Sequence, residues 1–315
     1  MAVALVFPGQ GSQKQGMLAD LAGSFPVVRK TIDEASDALG LDLWNLISTG
    51  PAEQLNATEY TQPAMLAAGI ATWRAWQAQG GPVPDLVSGH SLGEFTALVC
   101  AGALDYASAL QLVRYRGQIM QEAVPAGSGA MAALLGLDDA AVAAVCAESA
   151  RGAVVEAVNF NSPGQVVIAG DAEAVERALV LAKARGARRA VKLPVSVPSH
   201  SSLMKGAAEK LAVRLDSIAV QTPKIPYLSA VDAELHSDPA DIRATLVRQL
   251  ASPVRWTATV QALVARGANW VIECGPGGVL TGLNKRIEKR DGLYYIALED
   301  TEALLGTADA AKGLT

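Results

Sequence analysis

The chain has 315 residues, 50% hydrophobic and 18% charged, enough apolar material to bury a large core in one big domain or two unequal ones. A net charge of −5, 5% aromatics and the lack of any long basic run argue against a nucleic-acid partner. The cysteines, Cys100, Cys146 and Cys274, lie apart in apolar segments, which points to a reducing compartment and away from a disulfide framework or a zinc site.

The first element, within MAVALVFPGQG, has no basic region before it and too short an apolar run for a signal peptide, so it reads as the opening strand of a sheet. No stretch approaches a membrane span, and a soluble cytoplasmic protein without a membrane partner is expected. VFPGQGSQ leaves that strand through a glycine-rich turn, with Gln10 as its obvious polar side chain. After the breakers Gly80-Gly81-Pro82-Val83-Pro84, Asp85 to Ser88 reads as the end of a short buried strand. Gly89-His90-Ser91-Leu92-Gly93 then turns into an apolar helix from Leu92 to Ala101, with Phe95, Leu98 and Val99 on one face. Gly-x-Ser-x-Gly alone is a weak signal. Between a strand and a helix it has the context of a nucleophile elbow, with Ser91 exposed at the corner and the N–H of Leu92 beside any oxyanion formed there. The bland alternative is a serine capping an ordinary turn.

Tyr106 to Val124 reads as one helix whose apolar stripe carries Ala109, Leu112, Val113, Gly117, Met120 and Val124. Arg116 falls on that stripe and Arg114 off it, facing solvent. An inward arginine needs an anion, either a structural carboxylate of the chain or a carboxylate on the substrate. Beyond Pro125-Ala126-Gly127, strands at Ala130–Gly136, Val154–Asn159, Gln165–Ala169 and Arg188–Leu193 alternate with helices at Asp138–Ala150 and Ala172–Arg185. The order βαββαβ, with a turn at Asn161 to Gly164, is that of a ferredoxin-like unit. Strands and helices alternate again from about residue 196, including Tyr227–Val231 and Trp270–Cys274, and a loose tail is expected after Leu304. The fold class is therefore α/β: an α/β-hydrolase-like parallel-sheet domain (1–127 and 196–315) with an inserted ferredoxin-like small domain (128–195).

A serine needs a base, and the chain has three histidines. His90 adjoins Ser91, where consecutive side chains point apart. His236 lies in the polar run Asp232 to Asp241, a surface loop or strand end. His200 remains, exposed where VSVPSHSSLM meets a helix starting near Ser201 or Ser202, and it is expected to titrate in the ordinary histidine range. No acid announces itself as a third member, and a backbone or side-chain carbonyl serves equally well.

Taken together, FPGQGSQ, GHSLGE, RG..MQ, NFNSPGQVVIAG, VPSHS.LM and RQLASPVRW resemble the malonyl-CoA:acyl-carrier-protein transacylases of bacterial fatty-acid synthesis, from Met1 to about Asn284. The resemblance implies Ser91 as the acylated nucleophile and His200 as its base. It implies Gln10 and the N–H of Leu92 as the oxyanion hole, Arg116 as the malonyl-carboxylate site, and the Gln249 backbone carbonyl as the group orienting His200. It further implies malonyl-CoA as donor, acyl carrier protein as acceptor, no cofactor and no metal. Leu92 after the serine resembles malonyl-using members rather than methylmalonyl-using ones. A serine esterase or thioesterase with the same elbow, and a non-catalytic carrier-protein docking module, are the alternatives.

Overall fold

The computed structural model describes residues 2–195 and 197–312. Its strands are β1 (Val3–Phe7), β2 (Leu86–Gly89), β3 (Gly129–Leu135), β4 (Val155–Ser162), β5 (Gln165–Asp171), β6 (Arg189–Lys192), β7 (Tyr227–Leu228), β8 (Leu235–His236), β9 (Trp270–Glu273) and β10 (Tyr294–Ala297). They form two sheets. The larger has the order β10-β9-β1-β2-β7-β8, parallel throughout except for the antiparallel edge strand β8. β1 is VALVF with every residue buried, as a central parallel strand covered on both faces requires. The period of two sorts its side chains: Val3, Leu5 and Phe7 enter one hydrophobic cluster, while Ala4 and Val6 enter another on the opposite face.

The smaller sheet, order β4-β5-β3-β6, is wholly antiparallel and is covered by the helices Asp139–Ala150 and Ala172–Ala184, which gives the ferredoxin-like arrangement its sequence order implied. Its outer strand β4 is pinned to the larger body. Val254 donates to the Val158 carbonyl at 2.8 Å and accepts from the Phe160 N–H at 2.9 Å. The Glu156 carboxylate takes both the N–H and the hydroxyl of Ser202, each at 2.7 Å. This seam holds the small sheet over the C-terminal ends of β1 and β2, where open α/β sheets bind ligands.

Several elements differ from their sequence-based expectation. The helix expected to reach Val124 ends at Gln121, ahead of Pro125, and the Tyr227–Val231 strand pairs only over Tyr227–Leu228. The expected loose tail is a helix, Thr301–Lys312, because Leu304, Ala308 and Ala311 repeat at helical spacing and pack into the core. Ser196, the expected first residue of the returning segment, lies outside the described residues. Among the described residues no helix is long and apolar enough to cross a membrane, and no cluster of side chains is arranged to hold a metal ion.

Candidate active site

β1 and β2 lie in register, Phe7 beside Gly89, so the loops that follow them emerge side by side. Their close packing explains the glycines. A Cβ on Gly89 would stand 2.0 Å from the Gly93 carbonyl carbon, and one on Gly93 would stand 2.0 Å from the Phe7 oxygen. A Cβ on Gly9 would meet the His90 oxygen at 2.5 Å, so the Pro8-Gly9-Gln10-Gly11 turn lies directly against the elbow. Ser91 sits at the corner with φ 53°, the left-handed region that a serine adopts only under constraint. The helix Gly93–Cys100 follows at once, so its dipole and first N–H groups face the serine. Ser91, Leu92 and Gln10 line one cleft of about 520 Å³, walled on the small-sheet side by Met131, Val167 and Leu193. Gln10 leans on Thr58, its Nε2 3.4 Å from Oγ1.

His200 also has a positive φ, 66°, which turns its ring under the elbow. Nε2 lies 2.7 Å from Ser91 Oγ, and Nδ1 lies 2.9 Å from the Gln249 carbonyl. A carbonyl only accepts, so Nδ1 carries the hydrogen and Nε2 turns its lone pair to the serine hydroxyl. Gln249 ends the helix Pro239–Gln249, and its carbonyl belongs to the last turn, which lacks intrahelical donors. The sequence suggested an exposed His200 with an ordinary pKa, and the structure corrects both points. The residue is 3% exposed. Burial, and next the positive charge of Arg116, push its pKa down to about 3, so the imidazole is neutral and ready to accept a proton across the ordinary pH range.

Arg116 is 1% exposed on the helix Tyr106–Gln121. Nη1 donates to Gln62 Oε1 at 2.8 Å, and Nη2 donates to Gln249 Oε1 at 2.9 Å and to Ser91 Oγ at 3.2 Å. Every one of these partners is neutral. Nε is buried without a partner among the described residues, and burial lowers the guanidinium pKa to about 10, against an opposing pull from Glu94. Arg116 is therefore a buried cation 3.2 Å from the Ser91 hydroxyl, held by neutral oxygens and with one donor to spare.

The chain matches the acyl transferase domain family over residues 4–298. It belongs to that family. Among its relatives, the malonyl CoA-acyl carrier protein transacylase of Salmonella typhimurium is 58% identical, with 96% of this chain and 97% of the relative covered. That of Bacillus subtilis is 46% identical, with 96% and 95% covered. In structure, a malonyl-transacylase solved in complex with a type II PKS acyl-carrier protein superposes with a TM-score of 0.96 at 54% identity, covering 98% of this chain and all of that one. An acyl carrier protein S-malonyltransferase from Vibrio cholerae gives 0.93 at 55% identity, covering 96% and 99%.

In this acyl transferase Ser91, His200, Arg116 and Gln249 come into direct contact, and Leu92 and Gln10 share their cleft. His90 points away from the serine hydroxyl, bonded to Asn161 at 2.9 Å and tilted against Trp256. His236 ends a strand as expected but is buried rather than at the surface, because Asp232 and Asp241 hold both its ring nitrogens. Arg114, expected in solvent, is half-buried, donating to the Leu39 carbonyl at 3.0 Å and stacked over Tyr60. Three groups that contact the site residues escaped the sequence reading: Gln62, the Gln249 side chain and Glu94. The signal for Glu94 was an acid in the first turn of an otherwise apolar helix, and for Gln62 an amide inside the first turns of the nearly all-buried helix Thr58–Ala78.

Proposed function

We infer that this acyl transferase moves a malonyl group from malonyl-CoA to the phosphopantetheine thiol of acyl carrier protein, supplying malonyl-carrier protein for fatty-acid synthesis. The observation that carries the substrate reading is Arg116, bonded only to neutral oxygens and 3.2 Å from the nucleophile. In the first half-reaction His200 Nε2 takes the Ser91 proton as Oγ adds to the thioester carbonyl. The N–H of Leu92 and Gln10 stabilise the oxyanion, and Arg116 receives the far carboxylate. Collapse breaks the carbon–sulfur bond, and coenzyme A leaves with the proton from His200. The second half-reaction is the same sequence reversed: the carrier thiol gives its proton to His200, its sulfur adds to the ester carbonyl, and Ser91 leaves as the hydroxyl. The Gln249 carbonyl keeps His200 in the required tautomer throughout. No cofactor enters either half-reaction, since the coenzyme A thioester is a substrate.

The body built from 1–127 and 196–315 is proposed as the catalytic domain and 128–195 as an inserted small domain that walls the cleft. A reducing, cytoplasmic setting fits the free Cys100, Cys146 and Cys274. Mass spectrometry after mixing with malonyl-CoA tests the reading. A malonyl adduct on Ser91, stable until carrier protein is added and missing in Ser91→Ala, is expected. Rapid release of free malonate would mark an esterase instead, and label bound covalently to Ser91→Ala would remove Ser91 from its role.

A further inference from the structure

Glu94 follows Ser91 by three residues, is fully buried, and takes no part in the transfer steps. Its carboxylate receives three side-chain donors: Tyr227 and Ser229 on Oε2, the latter at 2.8 Å, and Gln249 Nε2 on Oε1 at 2.8 Å. Burial raises its pKa, and the hydrogen bonds from Tyr227, Gln249 and Ser229 oppose that rise. Donors on both oxygens are what an ionised carboxylate requires.

The Gln249 amide is the link to the reaction. Its two N–H groups are committed, one to the Ser91 carbonyl at 2.9 Å and the other to Glu94. Flipping the amide would turn Oε1 onto two acceptors, so Oε1 is fixed toward Arg116 Nη2 at 2.9 Å. Glu94 thus sets the polarity of the group that holds the guanidinium. It also supplies a negative charge whose pull opposes the lowering of the Arg116 pKa by burial. The two charges do not touch. One amide lies between them, which leaves the guanidinium face toward Ser91 open to a substrate.

We propose that Glu94 is a positioning residue for acyl selection: through the Gln249 amide it holds Arg116 in the orientation and charge that select an acyl group carrying a carboxylate. The proposal rests on Arg116 being the receptor for the malonyl carboxylate. The competing role is structural, with Glu94 merely tying Tyr227 of β7 to the elbow helix.

The test compares the full chain with Glu94→Gln, Glu94→Asp and Arg116→Ala, measuring kcat/KM for enzyme acylation by malonyl-CoA and acetyl-CoA from neutral to alkaline pH, with a thermal melt of each. Glu94→Gln is expected to lower the malonyl-to-acetyl ratio about tenfold, the scale of one misdirected charge-assisted hydrogen bond, mainly through KM for malonyl-CoA. Its ratio should also decline at lower pH than in the wild type, because Arg116 loses its counter-charge. Glu94→Asp keeps the charge but is too short to hold both Gln249 and Tyr227. It should lower the ratio without moving the pH dependence, and it serves if Glu94→Gln folds poorly. Proportional losses with both substrates and a lowered melting temperature would mean a structural role and overturn the proposal. An unchanged ratio in Glu94→Gln beside a collapsed ratio in Arg116→Ala would overturn the proposal alone. An unchanged ratio in Arg116→Ala would overturn the carboxylate receptor and the proposal with it.

Discussion

Arg116→Ala decides the substrate class. The guanidinium is anchored by Gln62 and Gln249 before any substrate arrives, so a malonyl carboxylate meets donors that need no reorganisation. Deleting one partner of such a buried charged pair typically costs about 2–5 kcal/mol, because the other charge is left desolvated and unpaired. At about 1.4 kcal/mol per tenfold, malonyl transfer should fall by roughly 30-fold to several thousand-fold. Acetyl transfer lacks that term. In the wild type an acetyl group leaves Nε and the serine-facing Nη2 of a buried cation without an anion, and the variant removes that mismatch. The malonyl-to-acetyl ratio should therefore drop by at least the malonyl loss. The melting temperature should fall modestly, since Oε1 of both Gln62 and Gln249 lose their donor, at about 1–3 kcal/mol for each acceptor that water does not reach. Arg116→Lys should stand between the two, a point charge being unable to span the partners that the fork meets. The assay is the pair of acylation rates on one enzyme preparation, with a melt alongside. A ratio that stays at the wild-type value while the melt drops would refute the receptor and make Arg116 a structural cation.

With its pKa pushed down to about 3, His200 should give acylation kcat/KM that is flat to within about twofold between roughly pH 5.5 and 8. A histidine of ordinary pKa would lose about tenfold at the acid end of that range, and such a loss would contradict the buried neutral base. His200→Ala should lose orders of magnitude in acylation rate, while His236→Ala should retain the rate and lose stability, since Asp232 and Asp241 would then face each other without the ring between them. For carrier-protein docking, the late-helix cluster, made of Lys285 and Arg286 in the last turn of the helix Val279–Ile287 and Lys289 and Arg290 just past its end, is exposed beyond the stretch Val279 to Leu283 that lines the cleft. In the small-domain cluster of Lys183, Arg185, Arg188, Arg189 and Lys192, two members are already paired: Arg185 with Glu148 and Lys192 with Glu176. Charge reversal in the late-helix cluster should raise KM for carrier protein and weaken its salt dependence with malonyl-CoA acylation intact, and the small-domain cluster should matter less. The opposite order would move the docking face to the small domain.

Local spacing alone settled the elbow, the βαββαβ order and the inward direction of Arg116. Each follows from chain geometry over a few residues: glycines where no Cβ fits, strand and helix periods, and a charged residue on an apolar stripe. Spacing did not settle what Arg116 touches or how His200 is tuned. Gln62 and Gln249 stand 54 and 133 residues from Arg116 in the chain, and Gln249 stands 158 from the Ser91 carbonyl that it anchors. An amide's polarity and an imidazole's pKa are properties of the surroundings, and these surroundings exist only after segments distant in the chain have packed together. The tail shows the same division. Its small residues looked like a loose end in isolation, and only the core surface waiting for Leu304, Ala308 and Ala311 made them a helix.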